Sequence, residues 1–356
     1  MMSATVTLDG REIGPGRPPY IVAEMSANHL GSLDRALEMI AVAADCGADA
    51  VKIQTYTPDT ITLNCDRPEF MLEEGRWAGR TLHDLYSEAQ TPFEWHAAMF
   101  ERAREVGITL FSAPFDHSAV DLLQSLDAPA YKIASFEVVD LPLIRRCAGT
   151  GKPMILSTGT ANLGEIAEAV RAAREAGCKE LIVLHCVSDY PANFADADLR
   201  TLVHLGEAFG VPAGLSDHTP GTAAAVAATA LGAALIEKHF TLKRADGGPD
   251  SAFSLEPDEL KRLVKDTRNA RAALGRVRYD LAGSEGAYLK LRRSLYVTAP
   301  IKKGETLSEK NVRSVRPGYG LHPRHYETVL GRKAARDLAF GEPLDWSAIE
   351  GDAPRD

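Results

Sequence analysis

From Tyr20 onward, short apolar runs alternate with longer stretches of helical spacing. The apolar runs begin near Tyr20, Ala50, Ile108, Ala130, Met154, Leu181, Ala213 and Leu235 and have the length of strands. Between the first two, Leu33, Ala36, Leu37, Ile40 and Ala44 recur at three- and four-residue intervals, which places them on one side of a helix over Ser32 to Asp45; Gly47 then stops it. Comparable helical patterns occupy about 91–106, 117–126, 141–149, 162–176, 196–209, 221–232 and 256–274. Eight strands and eight helices in strict alternation predict an α/β fold, a (β/α)8 TIM barrel. The same alternation also fits an open doubly wound sheet, which is the competing arrangement.

Three segments fall outside the repeat. Thr5 to Leu8 reads as a strand with a turn at Asp9-Gly10, the start of an N-terminal hairpin. The connection from Tyr56 to Gln90 is too long for an ordinary barrel loop and carries Trp77-Ala78-Gly79-Arg80-Thr81-Leu82, so it is the candidate for a flap facing a substrate. After a barrel domain spanning 1–282, a linker at 283–294 leads to 295–356, where strands are expected near Leu295–Pro300, Val312–Gly318 and Leu338–Leu344. That is a small β-rich domain, too small to bury a large core of its own.

The totals change this picture little. A chain of 356 residues suits one barrel plus an appendage, and a hydrophobic content of 45% allows a full core. No apolar run approaches the ~18 residues of a membrane span, and the N-terminus lacks the pattern of a secretory signal. A cytoplasmic protein with no membrane partner is expected. The net charge of −9 argues against a general nucleic-acid surface. Cys46, Cys65, Cys147, Cys178 and Cys186 are odd in number and follow no zinc-ligand spacing, so structural disulfides are not expected.

Polar residues recur where the strands should stop. They are Glu24, Lys52 with Gln54, Ser112, Lys132 with Ser135 and Glu137, Ser157, His185, Ser216 with His218, and Glu237 with His239. Side chains two apart share a strand face, so several of these pairs can point together into a barrel mouth, where this fold carries its chemistry. Two lysines with serines could bind a phosphate and a carboxylate on one small molecule; the other reading is that Lys52 and Lys132 pair structurally with Glu24 or Glu137. Two imidazoles at neighbouring strand ends could share a divalent cation, Mn2+, Mg2+, Co2+ or Fe2+, or could be satisfied histidines of the core or surface.

Taken together, Glu24-Met25-Ser26-Ala27-Asn28-His29 with Gly31, the run Gly47 to Thr55, Tyr131 to Ser135, Leu156-Ser157-Thr158-Gly159, Gly214 to Thr219 and Leu235 to Phe240 resemble the sialic acid synthase family. The last sixty or so residues, with Arg316-Pro317-Gly318, resemble that family's antifreeze-like (SAF) domain. The Trp77 to Leu82 stretch and the run Asp246 to Leu255 look most like its pseudaminic acid synthase branch. Met25 and Ala27 stand where Leu and Gly would be expected; neither touches the chemistry.

The resemblance implies metal-dependent condensation of phosphoenolpyruvate with a 2,4-diacetamido-2,4,6-trideoxy hexose, giving a nonulosonic acid and phosphate. It implies that Lys52, Lys132, Ser135, Ser157 and Ser216, helped by Ser112 and Ser188, hold phosphoenolpyruvate, with Tyr190 beside Ser188. His218 and His239 would hold the metal, Mn2+, Mg2+ or Co2+. Glu24 would accept a proton from the attacking water, Gln54 and Glu137 would position the sugar, and Asp250 and Glu237 would touch it. It also implies a domain-swapped homodimer in which Arg316 of one subunit reaches the other barrel. The alternatives are N-acetylneuraminate or legionaminate synthesis, condensation with a sugar phosphate, for which the flap supplies only Arg67, Arg76 and Arg80, or a barrel that only binds carbohydrate.

Overall fold

The computed structural model describes residues 5–73 and 77–353; Arg76 of the flap lies outside them. The chain divides into two compact units, Met1–Gly275 and Arg276–Asp356. In the first unit β1 (Val6–Leu8) and β2 (Arg11–Ile13) form an antiparallel hairpin with Val6 opposite Ile13. The strands β3 (Tyr20–Glu24), β4 (Ala50–Thr55), β5 (Thr109–Pro114), β6 (Tyr131–Ile133), β7 (Met154–Ser157), β8 (Leu181–Cys186), β9 (Ala213–Asp217) and β10 (Leu235–His239) then form a closed parallel barrel in chain order. Pairing of β10 with β3, His239 opposite Glu24, closes the ring. That pairing rules out the open sheet, which would leave β3 without this neighbour.

Alternation along the strands sorts the core into two layers. Tyr20, Val22, Ala50, Phe111, Ala130, Ile155, Ile182, Leu184 and Leu235 face inward and cluster with Val6, Leu8 and Ile13, so the hairpin plugs the end where the strands begin. Ile21, Val51, Ile53, Leu110, Ile133, Val183, Leu215 and Ile236 face outward and pack on helical residues such as Met39, Ile40, Met99, Val120 and Leu260. Apolar filling from below leaves only the last inward positions for polar groups. Local caps fix where helices start: Ser32 accepts from the Arg35 amide at 3.3 Å ahead of Leu33–Asp45, and Asn162 and Glu165 form a reciprocal capping box at Leu163–Glu175.

Two helices begin later than their periodicity predicts. The one expected from about 91 starts at His96, because Pro92 is extended and caps a separate turn at Phe93–Trp95. The one expected from about 196 starts at Arg200, after a separate turn at Phe194–Asp196. The long connection after β4 is built rather than loose. It contains Pro58–Ile61 and the helix Leu82–Ala89, a bridge between Met71 and Thr81, and edge-on contacts of Tyr56 with Tyr86 (5.6 Å) and Phe115 (5.1 Å).

In the second unit β11 (Ser294–Val297) and β12 (Val312–Val315) pair antiparallel over a core of Leu295, Val297, Ile301, Leu307, Val312, Leu338 and Leu344. The strand expected over 338–344 is reduced to single bridges, Ile301 with Leu338 and Tyr296 with Pro343. A turn with Gly341 in the left-handed region and a proline without an N–H interrupt any ladder there.

Gly214 shows how tightly the barrel is filled. A Cβ there would meet the carbonyl oxygen of Leu235 and lie 2.7 Å from Leu184 Cδ2. Gly214→Ala should therefore cost at least about 2 kcal/mol, by analogy with overpacked cores, measured by urea denaturation; an unchanged midpoint would show that β9 and β10 can separate freely.

Candidate active site

The upper inward positions of the strands open into a chamber of about 450 Å3 at the carboxyl end of the barrel. At its floor, Glu237 lies between two ammonium groups. Lys132 Nζ is 2.7 and 2.9 Å from its two carboxylate oxygens, Lys52 Nζ is 3.2 Å from Oε1, and Ser216 Oγ donates to Oε1 at 3.1 Å. Lys52 also reaches Glu24 Oε2 at 3.0 Å. All four charged side chains are buried, so two cations and two anions compensate one another where water cannot.

The same geometry separates the two carboxyls. Burial raises both, but at Glu237 the two lysines outweigh it and hold the carboxyl far below the usual range. At Glu24 burial wins over Lys52, with Glu237 adding to it, and the carboxyl is raised. Burial also opposes the charge on both lysines. Lys52, between two carboxylates, nevertheless ends above its ordinary value, whereas Lys132, with one partner and Lys52 nearby, ends below. Gln54 Nε2 donates to Glu24 Oε1 and to Ser26 Oγ, both at 2.9 Å, and Ser26 donates to Asp250 at 2.6 Å. Gln54 thus orients Glu24.

His218 and His239 face each other with ring centroids 5.3 Å apart. His218 Nδ1 is 2.8 Å from the Val187 carbonyl oxygen, so Nδ1 carries the proton and donates there, and the Nε2 lone pair is the one available to bind a metal ion. Burial pulls His239 well below its usual value, with His218 adding to the effect, so it is neutral. Tyr190 stacks on His218 at 4.3 Å, and Phe253 packs edge-on against His239 at 4.9 Å. His239 Nδ1 is buried without a hydrogen-bond partner. Burial opposes charge on His218, but Cys186 and the Val187 carbonyl oxygen outweigh it and raise its proton affinity, so a metal ion would compete with a proton there. Two imidazoles at one mouth, one with an unsatisfied ring nitrogen, fit a divalent cation with further positions left to small ligands. Among the described residues no third His, Cys, Asp or Glu joins them in a ligand cluster.

Ser135, Ser157 and Ser188 lie along the wall between the floor and the histidines. The Gly159 amide donates to Ser135 Oγ at 3.2 Å, and a side chain at Gly159 would collide with the hydroxyls of Ser188 and Ser135. The connection after β4 contributes Tyr56, Ile61, Trp77, Leu85 and Tyr86 to the lining, and these are largely apolar. Among the described residues, the buried side-chain atoms without a hydrogen bond include Trp77 Nε1, Glu137 Oε2, Ser157 Oγ and His239 Nδ1, all from residues lining this chamber; Glu24 Oε2 has only the ion pair with Lys52. Buried polar groups are rarely left unpaired, and such a concentration marks a place built for a ligand.

Most strand-end residues therefore converge, with three corrections. Ser112 is on the outer face of β5, where its hydroxyl is bonded to Thr55 Oγ1 (2.6 Å) and the Ile53 carbonyl (3.0 Å), and it does not enter the chamber. His185 also faces outward, to the Ala197 carbonyl at 2.8 Å. Each is one residue out of phase with the inward set, Phe111 and Ala113 on β5 and Leu184 and Cys186 on β8. Glu237 is no free contact for a sugar, because both its oxygens are taken by lysines. Asp250 lines the chamber, and Arg316 follows β12 in the second unit. Sequence reasoning missed Ser26, Tyr86 and Cys186; for the last, the unbroken apolar run 181–184 carries no alternation to show which face it takes. Burial opposes ionisation of the Cys186 thiol, but His218, with Ser135 and Ser188, outweighs it and draws the value down to about 7.

A polar, enclosed chamber at the carboxyl ends of a (β/α)8 barrel is the arrangement of an enzyme. The chain belongs to the NeuB family, which matches residues 39–279, and residues 292–350 match the SAF domain. It is 47% identical over 325 residues to the pseudaminic acid synthase of Campylobacter jejuni, covering 91% of this chain and 95% of that one. It is 44% identical over 337 residues to the pseudaminic acid synthase of Helicobacter pylori, covering 94% and 98%. The crystal structure of N-acetylneuraminic acid (sialic acid) synthetase from Leptospira borgpetersenii in complex with citrate superposes with a TM-score of 0.72 at 34% identity, covering 81% of this chain and 96% of that one. The chain is thus an enzyme of the synthase type.

Burial pushes the Glu137 carboxyl up to about 7, against an unfolded value of about 4.3. The native state then holds this proton more tightly than the unfolded one. Its contribution is present at low pH and is lost as pH rises through the folded value. Between about pH 4.5 and 7 the protein should lose up to about 3 kcal/mol of stability from this group, a loss that Glu137→Gln removes; parallel pH slopes of the two proteins in urea denaturation would contradict it.

Proposed function

We propose that the chain is a pseudaminic acid synthase, condensing phosphoenolpyruvate with 2,4-diacetamido-2,4,6-trideoxy-L-altrose to give a nonulosonic acid and phosphate. The observation that carries the reading is the meeting, in one chamber, of the ion-paired lysine floor and the facing histidines. An anion binder and a cation binder side by side suit a phosphorylated three-carbon acid next to a carbonyl compound.

In this reading Lys52 and Lys132, with the hydroxyls of Ser135, Ser157, Ser188 and Ser216, hold the phosphate and carboxylate of phosphoenolpyruvate. Glu237 keeps both ammonium groups charged and aimed upward in its absence. His218 and His239 would hold a divalent metal ion, Mn2+, Mg2+ or Co2+, which when bound supplies Lewis-acid polarisation of an aldehyde oxygen. Tyr190 keeps the two rings in place. Asp250, Glu137 and, from the partner of a domain-swapped homodimer, Arg316 contact the sugar.

The enol carbon of phosphoenolpyruvate forms a bond to the aldehyde carbon while the carbonyl π pair moves onto the aldehyde oxygen, which takes up a proton to become a hydroxyl; positive charge is left on the phosphate-bearing carbon. Water adds there and loses a proton to Glu24, whose raised affinity for protons suits a base working near neutrality. The hydroxyl left on that carbon then gives up its proton to the departing phosphate as the carbon–oxygen bond to phosphate breaks, which forms the 2-keto group and releases phosphate with its bridging oxygen. Gln54 positions Glu24 through its amide. Phosphoenolpyruvate is a metabolite of the cytoplasm, where the reaction would take place.

Phosphate release from phosphoenolpyruvate should occur with the trideoxy sugar in the presence of Mn2+, Mg2+ or Co2+, and more slowly with N-acetylmannosamine or the legionaminic acid precursor. Faster release with either of those would reassign the substrate. Glu24→Gln should lower turnover by about 10² to 10⁴-fold while phosphoenolpyruvate binding stays nearly intact; equal loss of both would make Glu24 a binding residue. Mixing Arg316→Ala subunits with Glu24→Gln subunits should restore activity above either parent, and no gain would discard the shared site.

A further inference from the structure

Behind the two histidines, on the opposite face of their strands, lies a second buried ion pair that no substrate can reach. Lys238 Nζ is 2.7 Å from Asp217 Oδ2, and both side chains are 1% exposed. The two residues are direct partners in the β9–β10 register. They point to the helix side, where the flanking outward positions are Leu215 and Ile236. The second carboxylate oxygen accepts from the Thr219 amide at 2.9 Å and from its hydroxyl at 2.7 Å. Lys238 also donates to the Thr219 carbonyl. The cluster therefore grips the chain on both sides of His218, at residues 217 and 219, and ties it to the residue preceding His239.

Stability does not account for it. A buried ion pair loses much of its attraction to desolvation, and well-packed apolar replacements of such pairs are often neutral or stabilising. An outward barrel position is where Ile or Val would ordinarily serve. What an apolar pair could not do is fix a turn: dispersion contacts are non-directional, whereas three hydrogen bonds to Asp217 and one to the Thr219 carbonyl set the backbone orientation at His218. The amide of Ala192, donating to the His218 carbonyl at 3.0 Å, completes the restraint.

We propose that Asp217 and Lys238, with Thr219, are positioning residues that hold His218 and His239 at the separation a shared cation requires. The inference rests on the metal reading of the histidine pair, and its test separates the two. In Asp217→Leu/Lys238→Met the protein should stay folded, with thermal unfolding within a few degrees of the parent. Affinity for Mn2+ alone, measured by equilibrium dialysis or electron paramagnetic resonance, should fall at least about tenfold, as when groups supporting metal ligands are removed. Phosphoenolpyruvate binding without metal should be unchanged, and a crystal structure of the variant should show the imidazoles displaced from their 5.3 Å separation. Thr219→Val, which keeps the ion pair and removes one bond to Asp217, should weaken Mn2+ binding to a smaller degree, and it decides the matter should the double variant not fold. A folded variant with parental Mn2+ affinity and unmoved rings overturns the proposal. A parent protein that binds no Mn2+ overturns the metal reading instead, and the ring separation in the variant still judges the brace.

Discussion

Two ammonium groups sharing one carboxylate at the floor of a closed barrel are the interaction on which the rest of the site depends. Lys132, Glu237 and Lys52, with Glu24 beyond, form an unbroken chain of alternating charge across β6, β10, β4 and β3. None of these groups could be buried alone. Because Glu237 neutralises the lysines, the barrel tolerates two cations at its mouth before any anion arrives. Burial raises the proton affinity of Glu24, which Lys52 alone does not offset, whereas at Glu237 Lys132 and Lys52 together outweigh burial. One arrangement of four side chains thus provides an anion site and a base with different protonation behaviour.

The barrel confines that polarity to one end. Below the charged layer, inward positions are filled by Tyr20, Phe111, Ile155, Ile182 and Leu235, and the N-terminal hairpin closes the bottom. The alternation that sends Ser216 and His218 inward sends Asp217 outward, so β9 and β10 each carry reactive groups on one face and a structural charge on the other. Apolar packing and polar chemistry are separated by the width of a strand rather than by distance along the chain.

The connection after β4 completes the chamber with a different character. Tyr56, Ile61, Leu85 and Tyr86 make its contribution to the lining apolar, in contrast to the serines and the charged floor. Edge-on aromatic contacts anchor it to Phe115 on the barrel. A ligand held there meets both ionic and hydroxyl groups and carbon surface.

How much of this was legible in the sequence follows from range. Helix and strand placement is set by local spacing and caps, so the eight repeats could be found from Leu33, Ala36 and Ile40 and their counterparts, and strand ends identified Glu24, Lys52, Lys132, His218 and His239 as one set. Phase within a strand is harder: a short apolar run such as Thr109–Pro114 carries no alternation to say which face Ser112 takes, and β8 gives none for His185. Pairing is harder still. That Glu237 would join both lysines, that Gln54 would orient Glu24, and that Lys238 would reach Asp217 and Thr219 depends on residues from 19 (Lys238 and Thr219) to 185 (Lys52 and Glu237) positions apart meeting at one barrel radius. The amino-acid order by itself determined the repeat and the chemistry available at each strand end, because those depend on neighbours in the chain. Only the closed tertiary structure decided which charges share a partner and which face inward, because ring closure sets strand register and register sets every distance across the mouth.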